Sequence, residues 1–175
     1  MVECGAMPAK KGKKPARHSK PLAESAEAKK QLDGFLAKYN PEIETLARAA
    51  LRKMRARFPN AIELVYDNYN ALAIGFAPSE RASEAIFSVV LYPRWVSFFF
   101  LQAKGLRDAS GLLKGGGKVV KHMVLQEAGD LDLPAVEDLI AQALERAKVP
   151  LDATAGRQLI IKSVSAKQRP RRPAK

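Results

Sequence analysis

The chain has 175 residues, 47% of them hydrophobic, which is enough apolar material to close one domain with tails. Its formal net charge of +12 lies at the ends, because residues 1–20 carry six Lys or Arg against one acid and residues 162–175 carry six against none. Cys4 is the only cysteine, which excludes an intramolecular disulfide, and with two histidines it leaves few ligands for a zinc site.

The N-terminal part of the chain predicts a tail followed by two helices. Residues 8–21 contain Pro, Gly, Ala and Lys without a large apolar side chain, so we expect a disordered basic tail over residues 1–21. No apolar segment follows these lysines, so we expect no secretory signal and a cytoplasmic location. Apolar residues at helical spacing predict a first helix over residues 23–38. Asn40 followed by Pro41 predicts the start of a second helix.

The period of the apolar residues then changes to two, which is typical of strands. Residues 62–66 and 71–76 predict a first hairpin. Two uncharged runs, residues 85–92 and 95–102, predict a central hairpin that is buried on both faces. A charge at residue 94 excludes a membrane span here. Four strands with short connections form an antiparallel meander.

The remaining elements follow a loop rich in Gly and Lys. Residues 119–125 predict a fifth strand, and the stretch from Gly129 to Pro150 predicts a last helix. Residues 159–164 predict a further strand at the edge of the sheet, which would be the sixth. Pro and Arg dominate residues 166–175, which predicts a second disordered basic tail.

These elements predict an α+β fold. An antiparallel sheet of five or six strands, arranged as a meander, is packed by two N-terminal helices and one C-terminal helix. We expect the domain to span residues 22–150 and an extension with the edge strand to span residues 151–165.

Polar and aromatic side chains at the two hairpin tips suggest a ligand site. The first tip offers Tyr66, Asn68, Tyr69 and Asn70, and the second offers Arg94 and Trp95. The first group has more hydrogen-bonding chemistry than a short turn requires, and the second suits an acidic or planar ligand. Ordinary turn residues on a solvated surface are the alternative explanation for both.

A glycine run precedes the fifth strand: Gly115, Gly116, Gly117 and Lys118. Consecutive glycines allow backbone N–H groups to converge on an anion. The run does not match the motif of a nucleotide-binding loop. Leu112 occupies the position of the motif's first glycine, and Val119 occupies the position of its magnesium-binding Ser or Thr. An anion cradle and a flexible connection both remain open.

The basic residues support a second hypothesis, nucleic-acid binding. The candidates in the tails are Lys10, Lys11, Lys13, Lys14, Arg17, Arg169, Arg171 and Arg172. Such residues neutralise backbone phosphates and give salt-dependent affinity. The second helix adds Arg48, Arg52 and Arg55 on one face, which is either solvated or a further basic surface.

Several segments resemble the YdhG-like family of bacterial domains, the domain of unknown function 1801. They are residues 66–72, 75–76, 92–96, 100–102 and 112–118, within a similarity that covers about residues 32–148. The resemblance implies a small α+β domain, and frataxin-like iron handling has been proposed within the family. The acidic residues of this chain are spread along it, which departs from what an iron site needs, and iron handling is the second alternative.

The first hypothesis is therefore non-catalytic binding of a small polar or anionic ligand by the hairpin tips. Arg94 and Lys118 would supply its positive charge. His122 has no Ser or Cys partner in a recognisable arrangement, so we expect no catalytic residue, and we expect no cofactor, no metal site and no membrane partner.

Overall fold

A computed structural model describes residues 26–152 and 156–172, so the tail predicted over residues 1–21 lies outside the described part. The helices are α1 (Ala26–Leu36), α2 (Pro41–Arg57) and α3 (Pro134–Glu145). The strands are β1 (Ile62–Asp67), β2 (Leu72–Ala77), β3 (Phe87–Leu91), β4 (Val96–Phe100), β5 (Lys121–Leu125) and β6 (Gln158–Val164). The α+β fold class is confirmed. None of the helices in residues 26–152 and 156–172 is both long and apolar enough to span a membrane.

The six strands form one mixed sheet in the order β5-β4-β3-β2-β1-β6. The first five strands are antiparallel neighbours. The short connections predict this for β1 to β4, whereas β5 follows the long loop after Phe100. β6 returns to the other end of the order and pairs with β1 in parallel, with Ile62 opposite Gln158. The predicted sixth strand is thus an edge strand, and its parallel direction is the feature that the sequence pattern did not specify.

One face of the sheet is packed by the helices. Leu51 and Met54 of α2 and Leu139 of α3 belong to one buried cluster with Phe98 and Phe100 of β4. All five residues of β3 and four of the five in β4 are buried, which confirms the prediction for the central hairpin. Burial of these aromatic rings is the main apolar contribution to the core.

The opposite face of the sheet has no α-helix over it among the described residues. Its small buried cluster consists of Ile62, Leu64, Ala77 and Ala85, with Tyr66, Leu101 and Ile160 packed against it. A one-turn 3-10 helix, Ala82–Glu84, lies beside this cluster. We call this surface the open face.

Two predicted boundaries differ in the structure. The last helix begins at Pro134 rather than at Gly129, because a separate 3-10 helix, Ala128–Asp132, precedes it with a capping box between Glu127 and Asp130. The disorder predicted over residues 166–175 is wrong for residues 166–172. Arg171 is only 4% exposed. Residues 173–175 lie outside the described part.

Candidate functional site

Three chain segments meet at one end of the sheet. Leu72 pairs with Asp67 on one side and with Leu91 on the other, so the β1–β2 and β3–β4 turns lie at the same end. Because β6 runs parallel to β1, it delivers the segment after Val164 to this end as well. The sheet topology therefore places two hairpin tips beside a C-terminal segment.

A pocket of about 610 Å³ lies between these three segments, and we call it the end pocket. It is lined by Asn70, Tyr92, Pro93, Arg94, Trp95, Arg169 and Pro170. The rings of Tyr92 and Trp95 stack with centroids 5.0 Å apart and planes inclined by 25°. Trp95 nevertheless remains 43% exposed, so part of its indole face is available to a ligand.

The charge of the end pocket comes from two arginines. Arg94 and Arg169 are both exposed, and no carboxylate lies within ion-pair distance of either guanidinium in the part of the chain that the structure describes. A guanidinium presents a planar array of N–H donors that matches a carboxylate or a phosphate. The pocket is therefore chemically suited to an anion.

A buried carboxylate holds the C-terminal segment in place. Asp67 is 1% exposed, and its Oδ1 accepts a hydrogen bond of 2.8 Å from Nη2 of Arg171. Its Oδ2 accepts hydrogen bonds from Nζ of Lys38 at 3.2 Å and from Nε2 of Gln168 at 2.5 Å. A buried carboxylate needs such partners, because an unpaired charge in the interior is costly.

Backbone contacts continue this attachment as far as Arg172. The amide N–H of Arg169 donates to the carbonyl oxygen of Tyr69 at 2.9 Å. Nε of Arg172 donates to the carbonyl oxygen of Tyr39 at 3.0 Å, and its Nη2 donates to that of Ala37 at 2.9 Å. The side chain of Arg169 is thus carried on a segment fixed on both sides of it.

Tyr39 forms the floor beneath Arg171. Its ring centroid lies 5.5 Å from the guanidinium carbon of Arg171, and the ring is fully buried. The phenol O–H donates to the carbonyl oxygen of Leu91 at 3.0 Å and accepts from the N–H of Leu72 at 3.0 Å. Burial raises the pKa of Tyr39 to about 12, although the charge of Arg171 acts in the opposite direction.

The structure places the predicted ligand residues of the hairpin tips in three different surroundings. Asn70, Arg94 and Trp95 line the end pocket. Tyr66 and Asn68 line a separate groove on the open face. Tyr69 has an exposed ring, 53% accessible, and its carbonyl oxygen contributes to fixing the C-terminal segment.

The glycine run lies at the opposite end of the sheet. Lys114 pairs with His122, and Lys121 pairs with Phe100, whereas the hairpin tip follows Leu91. A five-residue strand is about 15 Å long, so Gly115, Gly116, Gly117 and Lys118 are remote from the end pocket. This corrects the hypothesis that Lys118 and Arg94 contact the same small ligand. The run itself is exposed, and its role as an anion cradle stays a prediction.

His122 lies on the same side as the open face. Its ring stacks on Phe99 with a centroid separation of 4.9 Å. The two residues are direct cross-strand partners, so this contact is an ordinary side-chain pair of a sheet.

The basic candidates for nucleic-acid binding are mostly occupied where the structure describes them. Arg171 and Arg172 are engaged as above, which leaves Arg169 exposed. On α2, Arg48 pairs with Asp33 at 2.6 Å and with Glu44 at 2.9 Å, and Arg55 makes a bidentate pair with Glu63. Arg52 is exposed. Lys10, Lys11, Lys13, Lys14 and Arg17 lie outside the described residues.

Residues 26–152 and 156–172 contain no cluster of metal-ligating side chains that would suit iron handling. No group of three or more His, Cys, Asp or Glu side chains in that part is arranged to hold a metal ion. The acidic residues that cluster at the start of α3 are engaged instead with the basic side of α2, through pairs of Arg57 with Asp132 and Glu137.

Sequence reasoning missed the roles of Asp67, Lys38 and Gln168. One signal was available: an acid in a buried strand requires a cationic partner.

Neither a protein family model, nor a curated protein, nor a solved structure matches this chain.

Proposed function

We propose that the protein binds a small organic anion in the end pocket without transforming it. The observation that carries this proposal is the presence of two guanidinium groups, those of Arg94 and Arg169, in one pocket without a carboxylate partner among the described residues. Two such groups favour an anion, because each can donate charge-assisted hydrogen bonds to it. Without an anion, these N–H donors bind water.

The other walls of the end pocket suit an organic anion better than a bare inorganic ion. The stacked rings of Tyr92 and Trp95 offer an apolar surface, and Asn70 offers an amide that both donates and accepts. A volume of about 610 Å³ lies within the range of pockets that hold small ligands.

The lining residues also support binding rather than catalysis. The end pocket contains no His, Cys, Ser, Asp or Glu among the described residues that line it. These residues supply most nucleophiles and general acids or bases, and of the less common catalytic groups the lining contains the phenol of Tyr92.

We further propose that the chain is a member of the YdhG-like family. The support is the resemblance of the segments quoted above, two of which, residues 66–72 and 92–96, supply Asn70 and four of the other residues that line the end pocket. Membership would make this pocket a candidate ligand site for that group of proteins, in place of the iron site.

Nucleic-acid binding by the C-terminal tail has weaker support than anion binding. Of its three candidates there, Arg171 and Arg172 are held by Asp67 and by backbone carbonyls, and Arg169 lines the end pocket.

The test is titration calorimetry of the full chain with benzoate, phosphate and acetate. We expect saturable binding of at least one of these anions, and we expect Arg94→Ala and Arg169→Ala to weaken it about tenfold or more, since each removes a charge-assisted contact. Arg52→Ala is the matched control, because it removes an exposed arginine of α2 away from the pocket. Absence of binding, or equal losses in all three variants, would disprove the proposal.

A further inference from the structure

A second cavity lies on the open face next to the end pocket. It has a volume of about 390 Å³, and we call it the sheet groove. Its walls include Tyr66, Ala73, Gly75, Val90, Phe99 and Leu101. Among the described residues, no charged side chain lines it.

The groove arises from the order of side-chain sizes across the strands. In one row of paired residues, Gly75 and Ser88 lie between Leu64 and Phe99. In the next row, Ala73 is opposite Tyr66. Side chains that share a row on one face are neighbours, so small residues on the central strands leave a trough between the larger ones. The shape is therefore encoded in the strands themselves.

The sheet groove and the end pocket share a wall. Tyr92 lines both cavities. The β1–β2 turn also contributes to both, with Asn68 in the groove and Asn70 in the end pocket. An uncharged cavity is thus adjacent to a cavity whose charge comes from Arg94 and Arg169.

We infer that the ligand is an amphipathic organic acid whose carboxylate binds at the end pocket and whose apolar chain lies in the sheet groove. This inference rests on the proposed function and names the ligand class for it. Charge at one end and an uncharged trough at the other match a molecule with one anionic group and one hydrocarbon part.

The experiment is titration calorimetry of the full chain with straight-chain carboxylates from acetate to octanoate. Each methylene buried in the groove strengthens binding by about fourfold, which corresponds to about 0.8 kcal/mol per methylene. Arg94→Ala weakens short and long acids by the same factor, because it acts on the carboxylate alone.

Ala73→Phe fills the trough, so we expect it to abolish the dependence on chain length and to preserve the affinity for acetate. Retained acetate binding also shows that the variant is folded, and Ala73→Leu is a milder intrusion if Ala73→Phe fails to fold. Ala141→Phe is the matched control, because Ala141 is exposed on α3 and lines neither cavity.

The outcomes separate this inference from the proposed function. Affinity that is independent of chain length overturns the inference and leaves anion binding in place. No affinity for any straight-chain acid overturns the inference, and it overturns the proposed function as well when benzoate and phosphate also fail to bind. If octanol bound as tightly as octanoate, the carboxylate would contribute nothing to affinity, and the inference would be overturned. A dimer in sedimentation that Ala73→Phe converts to a monomer would show that a second copy occupies the groove, and would also overturn the inference.

Discussion

Nη2 of Arg171 donates to Oδ1 of Asp67 across 2.8 Å, and the two side chains are only 3% and 1% exposed. These residues lie 104 positions apart in the chain. The contact joins the end of β1 to the C-terminal segment that completes the end pocket. The contact therefore stabilises the fold and also fixes the position of Arg169 in the end pocket.

Replacing Arg171 by Ala leaves Asp67 buried without its main cationic partner. We expect Arg171→Ala to lower the free energy of unfolding by about 3 to 5 kcal/mol, the usual cost of removing one member of a buried ion pair. Urea denaturation measures this change. Arg169→Ala is the control and should leave the midpoint almost unchanged, and a similar small effect of Arg171→Ala would contradict the assigned role.

Neutralising Asp67 tests whether the C-terminal segment is needed for binding. Asp67→Asn keeps the size of the side chain but removes the charge that holds Arg171, so Arg169 loses its fixed position. We expect the anion affinity to fall about tenfold, as in Arg169→Ala. Calorimetry at a temperature where circular dichroism shows the variant folded measures this loss. Wild-type affinity in Asp67→Asn would show that the pocket forms without the attachment.

The two faces of β4 give a matched pair of substitutions. Phe98 is fully buried beneath the helices, so we expect Phe98→Ala to cost about 3 to 5 kcal/mol. Phe99 lies on the open face against His122 and is only partly buried, so Phe99→Ala should cost less than half as much. Equal losses in chemical denaturation would mean that the open face is covered as completely as the helical face.

Ionisation of Tyr39 lowers the free energy of unfolding at alkaline pH. Its phenol has a pKa of about 12 in the folded protein and about 10 when unfolded, so the folded state holds the proton more tightly. The stabilisation is complete below pH 10 and is lost as the pH rises towards 12, amounting to about 3 kcal/mol. Denaturation of the wild type and of Tyr39→Phe over this range measures it. An identical decline in both proteins would contradict the assignment, because lysine deprotonation is common to them.

The elements that the sequence predicts well are those specified by neighbouring residues. Asn40 and Pro41 mark the start of α2 correctly, although the Asn40 side chain makes no capping hydrogen bond there. The central hairpin follows from two uncharged runs of strand-forming residues, and its burial follows from the lack of alternation. Such signals are local, and the structure retains them.

The C-terminal segment could not be predicted in this way. Its Pro and Arg content is typical of a disordered tail. Composition shows that the segment has few apolar side chains to bury, but it does not show that a distant residue binds the segment. Order there depends on Asp67, Lys38 and Tyr39, which lie far away in the sequence. The same reason explains the candidate site: local composition points to Asn70, Arg94 and Trp95, which line the end pocket, but points to Arg169 only for nucleic acid.

The parallel pairing of β6 with β1 has a consequence during synthesis on the ribosome. β1 is translated early, but the strand that covers its free edge starts only at Gln158, near the end of the chain. Until then the nascent sheet presents an unpaired edge, which is a template for strand addition by another chain. Chains terminated before Gln158 should therefore self-associate through β1, whereas chains that extend through β6 should not.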